Sequence, residues 1–483
     1  MAESKDPSPV RARRGGRRGR PVMNSLTEGP IGPHLVQLTM PMFIGMASMI
    51  VASVFDTLFV GRIGTHELAA VSFSFPLVMV MVSLSMGVGI GASSIIARSM
   101  GAGNRERVRR LTTHSLLLTA LISIVCAALG EIFAPQIFYA LGARGQLLAL
   151  VVQYMHIWFI GLPMFAFPMV ATSIMRSVGS AKLPGTIMGM SSVVQVVIAP
   201  VLMFGIPGVF SGIGFDGSPW AFVLSRLFTM LLCMQVLTSR LRLITWRGFT
   251  WPDVSASWRE VMRIGLPASL SNLIGPVSMA IIIGMLTRHG VAVVAALGVA
   301  SRLESLATMI LMSLSGSLSA FIGQNWGAQQ DARIRTALNL SHRFSLAWGV
   351  FAWLLLVLTG RTLVGLINHD PAVIDATFAY LLLVPLSYGF LGLGMNAGAC
   401  FMALGKPLPT LVMSISRMLI VYVPLAMLGD HFFGFKGIFG ATAFTNVLMG
   451  IGAVWWMQRT LRQQIASRAP SAAAAALVPQ TAT

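Results

Sequence analysis

Twelve apolar runs, each close to the length that crosses a bilayer, fill this chain of 483 residues. They read as spans near 35–61, 68–98, 109–134, 146–175, 183–205 and 218–240, then near 260–288, 292–322, 337–358, 375–403, 408–429 and 437–459. A bilayer-spanning helix needs roughly 20 predominantly apolar residues. The fold class that follows is an all-α membrane protein of twelve transmembrane helices. Composition agrees, because only 10% of the residues are charged and mean hydropathy is +0.78, against about 25% charged in a soluble domain. The 48 glycines and 31 methionines suit helices that pack closely and flex.

The net charge of +19 resembles nucleic-acid affinity until its distribution is followed. Seven basic residues crowd the first twenty positions: Lys5, Arg11, Arg13, Arg14, Arg17, Arg18 and Arg20. With the N-terminus inside, 26 of the 34 basic residues fall on the cytoplasmic side, five fall outside and three (Arg226, Arg302 and Arg417) fall within spans. That is the positive-inside pattern, and it predicts both termini in the cytoplasm and no nucleic-acid partner. Residues 1–30 are expected to form a disordered basic tail, with anionic lipid contact as the alternative. They do not read as a cleaved signal peptide, because the apolar stretch that follows is long, is interrupted by Pro33 and Pro41, and has no A-x-A-like site. Cys126, Cys233 and Cys400 stand singly in apolar runs, so metal and disulfide chemistry are not expected. No metal or cofactor is expected either.

The second set of spans repeats the first at an offset of 226 residues. At that offset Pro41 meets Pro267, Arg62 meets Arg288, Gly64 meets Gly290, and Ala69–Ala70 meet Ala295–Ala296. Gly101–Ala102 meet Gly327–Ala328, Arg107 and Arg109 meet Arg333 and Arg335, and Gly179 meets Gly405. Six spans per half make a parallel repeat about an axis along the membrane normal. The predicted organisation is an N-terminal lobe over 31–244, a Trp-rich interfacial linker over 245–258, a C-terminal lobe over 259–462 and a disordered tail over 463–483. Two lobes of one ancestry suit a machine that exposes a site alternately to two sides, which neither a passive channel nor a scaffold requires.

Four motifs now carry a family resemblance. The stretch from Pro41 to Gly64, PMFIGMASMIVASVFDTLFVGRIG, resembles the first helix of multidrug and toxic compound extrusion (MATE) transporters, especially the DinF-like branch. ALGVASRLESLATM from Ala296 and GQNWGAQ from Gly323 resemble the eighth helix and the loop after it. VGSAKLP from Val178 and LGKPLP from Leu404 resemble the loops that open the fifth and eleventh helices. The resemblance covers about residues 30–462. It implies a monomeric bacterial inner-membrane antiporter that expels small organic compounds in exchange for protons or sodium ions.

An ionisable side chain at the centre of a span costs roughly 2.5–3.5 kcal/mol, so Asp56 and Glu304 are candidate functional residues. Asp56 follows a stripe of small residues, Gly45, Ser48, Ala52 and Ser53, and it matches the first-helix aspartate that carries ion coupling in DinF-like proteins. Removal from water disfavours the charged carboxylate, so this acid can exchange a proton near neutral pH. The plainer reading is a helix-terminal Asp at the outer interface, a turn before Gly61–Arg62. Where sodium-coupled relatives carry an Asn and, four residues later, an Asp, this chain has Gln195 and Ala199. One carboxylate and one amide make a poor cage for a hard cation, so a proton is favoured over sodium, with Asp216 the one residue placed to compensate. Glu304 reads equally as a substrate group or as a structural ion pair with Arg226 or Arg417. His114 and His156 read as hydrogen-bonded structure rather than a proton relay.

Ser53, Ser191, Gln195, Asn272 and Asn396 are predicted to line the substrate cavity with Met and Phe. Pro41 and Pro267, each early in the opening helix of a half, each remove a backbone hydrogen bond and mark bending points. The predicted activity is export of a cationic or polyaromatic compound driven by protons. A flippase for lipid-linked sugars is the nearest alternative, since Arg226, Arg302 and Arg417 suit pyrophosphate. A membrane enzyme is opposed by the lack of HExxH, GxSxG or clustered carboxylates.

Overall fold

The computed structural model describes residues 26–180, 182–206, 208–209, 211–246 and 250–476. The seven basic residues of the N-terminal tail, Arg247 of the linker and the end of the C-terminal tail lie outside the described residues. The architecture is all-helical, with twelve helices long and apolar enough to cross a membrane. The first six are Ile31–Ile63, His66–Gly101, Arg105–Ala140, Gly145–Ser177, Lys182–Phe204 and Gly214–Arg240. The second six are Trp251–His289, Val291–Gly327, Asp331–Leu366, Pro371–Ala403, Leu408–Phe433 and Phe435–Arg468.

The repeat extends well beyond the first two spans. Spans 3 and 9, and spans 4 and 10, share both boundaries at the 226-residue offset. Most helices extend beyond the spans read from the sequence, two of them into expected non-span segments. Span 7 begins at Trp251, inside the expected linker, and the last helix runs on to Ala476.

Each lobe is completed by the start of the other lobe's opening helix. Val261, Ile264 and Ala268 of span 7 are buried in one core with spans 2, 3 and 4, whereas Leu286 near the end of span 7 belongs to the C-terminal lobe. Leu26, Leu35 and Leu38 are buried among Leu318, Phe321 and Phe401 of the C-terminal lobe, while Val60 returns to the N-terminal one. Residues 26–30 are therefore packed rather than part of a free tail. Pro41 and Pro267 sit where these two helices pass from one lobe to the other. The pure 31–244 and 259–462 division is thus corrected to an interlocked one.

Glycine sets how closely the lobes meet. A Cβ on Gly87 would stand 2.4 Å from the Gly265 carbonyl and 1.9 Å from Ser269 Oγ. On Gly101 it would stand 1.8 Å from the Gln324 carbonyl, and on Gly327 2.1 Å from that of Arg98. Small residues at such crossings let helix backbones approach, which is how spans associate when lipid offers no hydrophobic drive between them. Ser94 donates to the Met402 carbonyl at 2.5 Å, and Gln324 donates to the Ser177 carbonyl at 2.7 Å while accepting the Leu26 N–H at 3.0 Å. Among the described residues, the hydrogen bonds that join the lobes lie at mid-depth, such as Ser313 to Met46, or on the face that carries both chain ends. On the opposite half, Gly275 and Gly284 meet nothing within 4 Å of an added Cβ. The backbone contacts that join the lobes thus lie toward the chain-end half.

Gly87→Val should overpack the crossing of spans 2 and 7 and lower unfolding stability by about 1–3 kcal/mol. Gly284→Val, in open space, should change it by less than about 0.5 kcal/mol. Thermal unfolding of the purified protein in detergent measures both, and equal effects would contradict the assigned contact.

Candidate functional site

Asp56 lies on the first span, on the half away from the chain ends, and is partly buried. Ser218 Oγ donates to its Oδ1 at 3.2 Å. The loop before span 6 brings Ser218 there. Gly214 takes φ +64, a conformation that favours glycine, and opens a short 3-10 turn, Gly214–Asp216. Gly217 then lies so near the Leu202–Met203 backbone that a Cβ would meet it at 2.7 Å. Tyr154 of span 4 completes the corner, touching Ser218 and lying within electrostatic reach of Asp56.

Asp216 does not join this group. Gln153 Nε2 binds both its oxygens, at 2.8 and 3.0 Å. Among the described residues no cluster of three or more His, Cys, Asp or Glu could hold a metal ion. Asp56 is thus a single carboxylate served by hydroxyl groups, which suits a proton better than a hard metal ion. Ser53, one turn before it, is exposed.

Two predicted cavity residues face inward instead. Ser191 and Gln195 are buried inside the N-terminal lobe, where Arg226 Nη1 donates to Ser191 Oγ at 3.3 Å and Nη2 to Gln195 Oε1 at 3.4 Å. Thr229 also donates to Ser191 at 2.7 Å, and the guanidinium lies 5.2 Å from the Phe222 ring centroid. A charge taken out of water needs hydrogen-bonding partners, and here the polar side chains of span 5 serve Arg226 rather than a ligand. Asn396 is corrected likewise: it is buried and donates to Ser345 Oγ at 3.1 Å, toward span 9.

A cavity of about 720 Å³ lined by Arg98, Arg107, Glu260 and Arg468 lies between the lobes on the chain-end face, and further open space lies within the C-terminal lobe. Two joined compartments of about 370 and 500 Å³ share Ser271, Asn272, Met395, Ser414, Arg417 and Asn446. Asn272 lines both compartments, and its Nδ2 is buried without a partner. Glu304 lines the second compartment and accepts the Tyr380 hydroxyl. Of the two arginines weighed as its partner, Arg417 is within electrostatic reach, yet among the described residues no salt bridge joins them. Arg417 Nη2 instead donates to Asn446 Oδ1 at 2.7 Å, and Asn446 Nδ2 donates to Ser387 Oγ at 2.8 Å. Span 11 widens into a π-helix over Ser416–Tyr422, an irregularity common at functional sites, and this is the segment that carries Arg417. The sequence marked Arg417 as a cation inside a span. Its neighbours Asn446, Tyr380 and Ser218 left no pattern to read.

The histidines are structural. His114 Nδ1 meets Ser257 Oγ at 2.9 Å and its carbonyl accepts Trp258 Nε1 at 2.9 Å, tying span 3 to span 7. His156 pairs with Glu131, a further acid on span 3. The homologous Arg107 and Arg333 perform matching tasks. Arg107 pairs with Glu260 on span 7 at 3.0 Å, while Arg333 binds the Gly29 and Leu26 carbonyls at 2.7 and 3.1 Å and Asn325 Oδ1 at 3.0 Å. Arg107 thus grips the seventh helix, and Arg333 grips the segment that leads into the first.

Residues 41–201 and 267–428 match the MatE family model, one match in each half. The chain belongs to the MatE family. MatE proteins are transporters, and this chain is a multi-pass membrane transporter rather than an enzyme. It is 34% identical over 90% of its length to a Shewanella oneidensis protein called a FAD transporter, covering 96% of that protein. It is 27% identical to the Bacillus subtilis probable multidrug resistance protein YoeA, over 81% of this chain and 85% of that one. The crystal structure of the Vibrio cholerae MATE transporter VcmN in the bent form superposes with a TM-score of 0.84 at 27% identity, covering 89% of this chain and 97% of that one.

Because the Arg107–Glu260 pair is half exposed, Arg107→Gln should cost less than about 1 kcal/mol of unfolding stability. Arg333→Gln removes several hydrogen bonds from a charged donor and should cost about 1.5–3 kcal/mol. Chemical unfolding in detergent ranks the two, and the reverse order would contradict the assigned roles.

Proposed function

We propose that this MatE transporter is a proton-driven antiporter that exports small organic molecules across the bacterial inner membrane, with both termini cytoplasmic. The observation that carries the proposal is Asp56: one partly buried carboxylate on the half away from the chain ends, hydrogen-bonded to a hydroxyl, with Asp216 committed elsewhere. On this reading a proton from outside neutralises Asp56 and lets the lobes rearrange without stranding a charge in a low-dielectric interior. Each proton entering contributes about 2.3 kcal/mol per 100 mV and about 1.4 kcal/mol per pH unit. The positive-inside pattern makes the chain-end face cytoplasmic.

The sequence points to cationic or polyaromatic cargo. Similarity to a FAD transporter adds a flavin nucleotide to the compounds to be tried. Sodium coupling is disfavoured by the lone carboxylate.

In proteoliposomes, an imposed proton gradient should drive transport of a cationic dye or flavin and a sodium gradient should not. Transport that follows sodium alone, or neither gradient, rejects the proposal. Asp56→Asn should reduce proton-driven transport at least tenfold while leaving the protein folded. Pro41→Ala, at the point where the first helix passes between lobes, should reduce transport several-fold with membrane insertion intact. Unchanged rates would remove Pro41 from the cycle.

A further inference from the structure

Arg417 faces the C-terminal cavity with no carboxylate in salt-bridge contact among the described residues. Arg417 rises from the π-helical turn deep in the lobe, and its side chain is nonetheless open to the cavity. Its hydrogen bond to Asn446 uses one donor of the five a guanidinium carries, and among the described residues no other hydrogen bond or salt bridge engages it. In the 370 Å³ compartment Arg417 is the sole ionisable lining residue among the described residues. Glu304 lines the other compartment together with Arg417, within electrostatic reach of it but hydrogen-bonded to Tyr380.

Further polar groups around Arg417 lack partners. Asn272 Nδ2 and the hydroxyls of Thr410 and Thr445 are buried and unpaired, and all three residues line the cavity. The remaining wall is soft and apolar: Met312, Met395, Met413, Met449 and Phe390. Methionine surfaces adapt to flat or irregular bodies. The compartment volumes fall in the range of pockets for drug-sized ligands, roughly 300–1,000 Å³.

We propose that Arg417 is the anion-binding end of a substrate subsite in the C-terminal lobe. The subsite takes an amphipathic organic anion, with a phosphate group on the guanidinium and a flat apolar body against the methionines. A planar guanidinium fork matches phosphate oxygens in paired hydrogen bonds. A cationic ligand in the 370 Å³ compartment would lie against the guanidinium with no carboxylate in that wall. Proton coupling stays at Asp56 in the other lobe, so cargo and proton occupy separate places. The proposal rests on the exporter reading and adds the chemical class of cargo and its location.

The test is binding in detergent without any gradient, read by flavin fluorescence, so that it fails independently of the proton-driven assay. The probes are riboflavin 5′-phosphate and riboflavin, which differ by one phosphate. The phosphorylated probe should bind at least tenfold tighter to the native chain. Arg417→Gln should abolish that preference while retaining riboflavin binding, which reports that the cavity is still folded. Arg417→Lys, which keeps the charge, should retain most of it. Equal affinity of the native chain for the two probes, or a preference that survives in Arg417→Gln, would overturn the assignment. A membrane phosphate is the other source of the same chemistry. Displacement of the phosphorylated probe by inorganic pyrophosphate but not by phosphatidylglycerol micelles supports a soluble cargo. The opposite order places a lipid headgroup at Arg417 and overturns it.

Discussion

Backbone meeting backbone at glycine is the contact on which the molecule depends. In lipid, apolar side chains gain nothing by leaving their surroundings for one another, so lobes must be held by dispersion at close range and by a few hydrogen bonds. Gly87 against Gly265, Gly101 against Gln324 and Gly327 against Arg98 supply that closeness. They lie in the chain-end half or at mid-depth.

Charges inside the bilayer region divide by lobe. The N-terminal lobe encloses Arg226 with Ser191, Gln195 and two aromatic rings, and so closes around it. The C-terminal lobe leaves Arg417 facing a void. The same residue type is thus structural in one half and available in the other, although the two lobes share a repeat. The acids are divided too, with Asp56 beside Ser218 and Glu304 engaged by Tyr380.

Much of this was legible in the sequence, because membrane helices announce themselves by length and apolarity. Twelve spans and their pairing at 226 residues could be read from the chain, and Asp56, Glu304 and Asn272 stood out as polar residues within spans. The side on which a polar span residue faces could not be read. Ser191, Gln195 and Asn396 have the composition of cavity residues, and they turn inward because Arg226 and Ser345 wait there. Hydropathy also gives spans without their partners, so the lobes read as two consecutive blocks. The transfer of each opening helix to the opposite lobe depends on which faces of spans 1 and 7 meet which core, and that carries no periodic signature.

The interlocking of the two halves bears on how the chain is made. Segments enter the membrane in order from the N-terminus, and domains generally fold as they emerge. The core of the N-terminal lobe includes Val261, Ile264 and Ala268, which are synthesised only after all six of its own spans. That lobe therefore waits, inserted but unfinished, until the seventh helix arrives to fill it. The first helix waits longer still for the surface that buries Leu35 and Leu38. Two lobes that look like separable duplicates must mature as a single body, and neither half would be expected to assemble its native core when expressed by itself.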